Sequence, residues 1–146
     1  MKSTKKWSLF EQWKKFLASF FWLDPCAGGI CTRERKWKIE ILCVTHKDGR
    51  LMLPKWRMKL WETIEQTALR EFREETGIYN CTLWKKIGTI RDRNRRKKIV
   101  FYAIQSSWPH SPVHDEAIMW VHLEDAAKKM KHATERAFIE RYVPRG

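Results

Sequence analysis

Nowhere do apolar residues run on for the roughly 18–20 positions that a bilayer-spanning helix needs, so this chain of 146 residues offers no transmembrane segment. Acidic residues are also scarce, 17 against 30 lysines and arginines, for a net charge of +13. That balance favours a polyanionic partner, whether nucleotide, RNA or anionic lipid, without choosing among them. The four cysteines, Cys26, Cys31, Cys43 and Cys81, form no CxxC pair and show no zinc spacing. Scattered thiols of this kind fit a reducing cytoplasm. Glycine is the last shortage. Six glycines stand where ordinary usage of about 7% would give roughly ten, while tryptophan, at nine, is in excess.

What remains is a globular composition, 43% hydrophobic and 32% charged, long enough for one domain with its own core. At the N-terminus Leu9, Phe10, Trp13, Phe16, Leu17, Phe20 and Phe21 recur at helical spacing. Glu11, Lys14 and Lys15 interrupt that stretch and Asp24-Pro25 is a poor cleavage site, which argues against a signal peptide. The expectation is an amphipathic helix within residues 1–24 that docks on a domain spanning 25–146, with a membrane-surface helix as the alternative.

Along that domain, Cys26-Ala27-Gly28-Gly29-Ile30 reads as a turn leading into a strand. Ile39 to Val44 is a strand, His46 to Arg50 a hairpin turn, and Leu51 to Leu53 a strand stopped by Pro54. A loop from Lys55 to Thr63 leads into a helix over about Ile64 to Thr76, closed by Gly77. Strands follow at Leu83 to Ile90, Ile99 to Gln105 and Met119 to Leu123, and Glu124 to Tyr142 reads as a C-terminal helix. The order is a mixed α/β class in one layered domain.

The informative stretch is Trp56 to Ile78. At about 100° per residue, Ile64, Ala68 and Phe72 mark the core side of its helix. Glu71 and Glu75 project into nearly the same sector, with Glu74 at its edge. Carboxylates placed there should be paired or should bind a metal, and Arg70 can pair with one of them. Three carboxylates within five residues make an all-oxygen site suited to Mg²⁺ or Mn²⁺, able to bridge phosphate oxygens and activate water. One glutamate not fully used in ligation could act as general base. A surface helix laced by i, i+4 ion pairs is the other reading, and periodicity does not separate the two.

Spacing adds a resemblance. Glu62, Arg70-Glu71, Phe72, Glu74-Glu75, Gly77 and Ile78 stand at the offsets of the Nudix box. Ala27-Gly28-Gly29 and Leu53-Pro54-Lys55 resemble the family's approach to the box, and Trp120-Val121 with Leu123 to Ala126 resembles its ending. The resemblance implies an α/β/α sandwich with a mixed sheet and a metal-dependent pyrophosphohydrolase. Glu71, Glu74 and Glu75 would hold the metal, and Glu71, Glu74 and Arg70 would form the catalytic set, with Arg70 orienting a glutamate. Glu116 is a further candidate for a metal or base role. Lys55, Arg57, Tyr102 and Glu116 are the candidate substrate contacts.

The chain departs from the family at two places, Trp56 and Trp61, where the box has glycine. Glycine there would supply positive φ or a close backbone approach. Either the loop is distorted, or a codon meaning glycine in the source has been written as tryptophan. The excess of tryptophan favours the second, and Trp37, in the turn Arg35 to Lys38, is another natural glycine position. Finally, Arg91, Arg93, Arg95, Arg96, Lys97 and Lys98 crowd six cations into what reads as a hairpin tip. That tip is either a solvated loop or a clamp for extra phosphates or an RNA 5′ end. Trp84, Tyr102 or Trp108 could stack on a base. The expected substrate is a nucleotide, a dinucleoside polyphosphate or an RNA 5′ end. A catalytically impaired RNA-binding module of the same fold is the alternative.

Overall fold

Side chains alternate across each strand, and that alternation sorts this chain into layers. The computed structural model describes residues 8–13, 23–106 and 117–142. Strands β1 (Asp24–Ile30), β5 (Lys55–Arg57), β6 (Cys81–Asp92) and β7 (Lys97–Ser106) form one sheet in the order β5-β1-β7-β6. It is mixed, because β1 and β7 run parallel while its other pairs are antiparallel. Strands β2 (Thr32–Arg35), β3 (Lys38–Thr45), β4 (Leu51–Met52) and β8 (Ile118–His122) form a second, antiparallel sheet.

On one face of the mixed sheet Ala27, Val100 and Tyr102 pack with Ala68 of helix α1 (Ile64–Thr76). On the other, Cys26, Ile30, Ile99 and Phe101 meet Leu123 and Ala126 of α2 (Leu123–Lys129) and Phe138 and Ile139 of α3 (Ala133–Tyr142). Phe101 and Phe138 lie 4.8 Å apart between ring centres. Helices on both faces of a mixed sheet are the α/β/α sandwich expected from the sequence. Gly28 matters to it directly, since a Cβ there would collide with the Phe101 ring.

Several elements differ from the expectation, each for a tertiary reason. Cys26 to Ile30 is not a turn but the interior of β1, buried on both faces, which the paired glycines disguise. The Lys55–Thr63 loop begins as a strand, because β1 recruits residues 55–57 as its antiparallel neighbour. The C-terminal helix is two helices. It breaks because Met130 bridges to Leu51 and the Lys131 N–H donates to the Leu51 carbonyl at 2.8 Å, so the backbone serves β4 in place of a helical turn. Near the N-terminus residues 9–13 are helical, with Leu9, Phe10 and Trp13 exposed. Phe16, Leu17, Phe20 and Phe21 lie outside the described residues. Among the described residues no helix is long and apolar enough to cross a membrane.

Candidate active site

Helix α1 begins at a reciprocal cap. The Thr63 hydroxyl accepts from the Gln66 N–H at 3.2 Å, and the Gln66 side chain accepts from the Thr63 N–H at 2.9 Å. It ends at Gly77, whose φ of 71° lies in the left-handed region that glycine alone enters without strain. Both ends are therefore set locally. Burial of Thr67, Ala68, Phe72 and Thr76 then fixes the rotation of the helix on the sheet.

That rotation places Glu71 and Glu75 at the margin of the buried face, half-buried, and leaves Glu74 exposed. Arg70 is the hub. Its Nη2 donates to Glu62 at 2.8 Å and lies 3.0 Å from Glu71, while Nη1 reaches Glu74 at 3.0 Å. Glu62 belongs to neither the candidate metal set nor the candidate catalytic set, yet it is the nearest partner of Arg70. It also accepts from the Thr67 hydroxyl at 3.1 Å. Its i+8 separation from Arg70 is too long for a helical pairing rule, so only the box spacing marked it. The Arg70 hydrogen bonds hold the Glu62 carboxyl below the ordinary glutamate range, against an opposing effect of burial.

A depressed carboxyl stabilises the fold above its unfolded pKa, about 4.3, and the contribution is lost as pH falls through the folded value. Thermal stability should therefore drop as pH is lowered from about 5, and Glu62→Gln should drop less steeply over that window. Parallel pH profiles for the two proteins would mean that this pair contributes nothing.

Among the described residues, no three His, Cys, Asp or Glu side chains stand close enough to form a ready metal cage. Arg70 occupies the centre of the cluster. The donors are nonetheless all oxygen, which fits a hard cation, and the four thiols are buried in the core. Burial pushes Cys31 and Cys43 up to about 12, so they are poor ligands.

The expected substrate contacts fare unevenly. Tyr102 is buried, and its hydroxyl donates to Glu65 at 3.1 Å, so it is a packing residue beneath α1 and cannot stack on a base. Burial and Glu65 together raise its pKa to about 12. Lys55 points to the opposite face and is paired with Glu135. Arg57 is exposed and meets Asp24 at 3.3 Å. Trp84 is exposed at an irregularity in β6, with the Lys85 ammonium 4.4 Å from its ring centre. Glu116 and Trp108 lie outside the described residues. The cationic run is indeed a hairpin tip, residues 93–96 turning between β6 and β7.

Trp56 and Trp61 behave differently from each other. Trp56 does not have positive φ; it lies within β5, buried, with its ring edge-on to Phe72 at 6.5 Å. The backbone argument for glycine therefore fails at this position, although the indole Nε1 is buried without a partner. Trp61 is exposed at the rim of an open groove with Lys59, Glu62, Arg70 and Tyr79. Trp37 is the position whose backbone favours glycine, with φ 65° and 95% exposure.

Comparison with known proteins extends this geometry. The NUDIX domain family model matches residues 23–142. A Mycobacterium tuberculosis protein called mutator protein MutT4 is 34% identical over 104 residues, covering 63% of this chain but 41% of its own length. The Caenorhabditis elegans Ap4A hydrolase structure superposes with a TM-score of 0.66 at 22% identity, covering 81% of this chain and 94% of that one. The NUDIX domain of Shewanella oneidensis NrtR, solved with ADP-ribose, gives a TM-score of 0.59 at 21% identity, covering 87% and 94%. At these identities the two structures show a shared fold.

Proposed function

This chain belongs to the NUDIX domain family, and from that premise we propose that it is a metal-dependent hydrolase of a phosphoanhydride bond in a nucleoside diphosphate-linked substrate. The observation that carries the proposal is the Arg70 hub, which gathers Glu62, Glu71 and Glu74 at the start of the box helix. Glu71, Glu74 and Glu75 would hold the cation, Mg²⁺ or Mn²⁺. Such an ion, once bound, supplies neutralisation of phosphate oxygens and a more acidic water.

The chain's own residues do the rest. Arg70, anchored by Glu62, fixes the orientation of Glu71, so that carboxylate need not be reorganised when substrate arrives. One carboxylate oxygen not spent on the ion accepts the proton of the attacking water. Arg57, exposed on the edge strand β5, and the exposed cations of the β6–β7 hairpin meet the phosphates. Ap4A and ADP-ribose, the ligands named for two similar structures, are both nucleoside diphosphate-linked and support this substrate class. Four buried free thiols are in keeping with a cytoplasmic setting.

A panel of nucleoside triphosphates, dinucleoside polyphosphates, ADP-ribose and 5′-capped RNA, assayed with and without Mg²⁺, tests the reading. Mg²⁺-dependent release of a cleaved product from at least one is expected. Salt-dependent RNA binding with no turnover of any would favour a catalytically impaired RNA-binding module. Within the same assay, Arg91→Ser/Arg93→Ser should raise KM for the most highly charged substrate. It should also flatten the salt dependence by roughly one unit of slope per lost phosphate contact. An unchanged KM at low and high salt would make the hairpin a solvated loop.

A further inference from the structure

Glu135, on the first turn of α3, is fully buried, and its Oε1 accepts from Lys55 Nζ at 2.7 Å. Its Oε2 is also buried and has no partner. Burying an ion pair costs desolvation that mutual attraction seldom offsets, so apolar residues would serve a purely structural purpose as well or better. The location suggests another purpose, since Lys55 directly precedes Trp56, the first position of the box.

An ammonium has three donors. One Lys55 donor goes to Glu135 and another to the Leu53 carbonyl at 3.3 Å, which leaves one unspent on a side chain still 13% exposed. Other cations crowd the same spot. Burial pushes the Lys55 pKa down, Glu135 opposes that, and Arg95 and Lys97 lie near enough to push it down further. Arg95 pairs through Nε with Asp92 at 2.6 Å, but its Nη2 is buried without a partner. Two unspent cationic donors from strands far apart in sequence thus lie near one another.

We propose that Lys55 and Arg95 form a phosphate subsite, and that Glu135 is the positioning residue that fixes the Lys55 ammonium within it. The ligand class is a phosphate group, and its identity as a non-scissile phosphate of the substrate rests on the hydrolase reading above. Two of the three Lys55 donors are anchored, so the long side chain loses little rotamer freedom when the third takes a phosphate oxygen. A carboxylate beside an anion site also repels the anion. Positioning and plain electrostatics therefore predict opposite signs when Glu135 loses its charge.

The test is calorimetric titration of inorganic pyrophosphate into the full chain with EDTA present, so that binding through a metal does not contribute. Lys55→Met should weaken binding by about tenfold or more, the worth of one charge-assisted hydrogen bond. Glu135→Gln should weaken it several-fold, although Coulomb's law alone would have it tighten. Glu135→Asp keeps the charge but shortens the reach, and should weaken binding as well; it asks the same question if the glutamine variant does not fold. Lys55→Met/Glu135→Gln should bind no worse than Lys55→Met, and melting curves check that each variant is folded. Equal or tighter binding by the Glu135 variants would overturn the positioning role. Failure of the unaltered chain to bind pyrophosphate would overturn the subsite. Pyrophosphate binding without turnover of any nucleotide would instead sink the hydrolase reading and leave the subsite standing.

Discussion

Glu74→Gln and Glu75→Gln should each lose about a hundredfold or more of Mg²⁺-dependent turnover, the scale on which a positioned acid–base or charge-stabilising group acts. A glutamine keeps the shape of the side chain and removes the negative charge that a hard cation requires. The fold should survive. The Glu74 side chain is 55% exposed, and its partner is Arg70 four residues earlier on the helix. Such exposed i, i+4 pairs contribute only about 0.3–0.5 kcal/mol. Arg70 keeps Glu62 and Glu71 when Glu74 is neutralised. Near-normal hydrolysis by both variants at saturating Mg²⁺, with unchanged melting curves, would show that these carboxylates only decorate the helix.

The second large effect concerns Trp56. Removing a buried aromatic side chain typically costs about 3–5 kcal/mol, through lost burial and the cavity left behind. Trp56→Gly should fall in that range by chemical denaturation, because the indole packs on Phe72 and Gly29 leaves it room. The unpartnered Nε1 works the other way, since its removal also ends a desolvation penalty of about 1–3 kcal/mol, and the loss should lie toward the low end. Trp61→Gly, at an exposed site, should change stability by no more than about 0.5 kcal/mol. Equal stabilities for the two variants would mean that Trp56 does not fill the core as described. Peptide mass spectrometry of native material would read positions 37, 56 and 61 directly. Glycine at 37 would also relieve a left-handed backbone.

The chemistry-bearing helix was legible in the sequence because everything that defines it acts over short distances. Its apolar period, Thr63 before its first turn, Gly77 after its last and the offsets of Arg70, Glu71, Glu74 and Glu75 are all contained within one stretch of chain. The β3–β4 hairpin was legible for the same reason, its turn closing through His46 and Arg50. Tertiary structure alone decided which face each side chain serves. Tyr102, a plausible base platform in isolation, is sealed under α1, and Lys55, one residue from a buried indole, turns the other way because adjacent strand residues face opposite sides. Lys55 then meets Glu135, 80 residues distant. Local periodicity can state that a charge will be buried, but the partner that makes burial tolerable comes from whatever element the fold lays against it. The same holds for the break at Met130, where a helix-forming stretch gives up its own hydrogen bonds to complete β4.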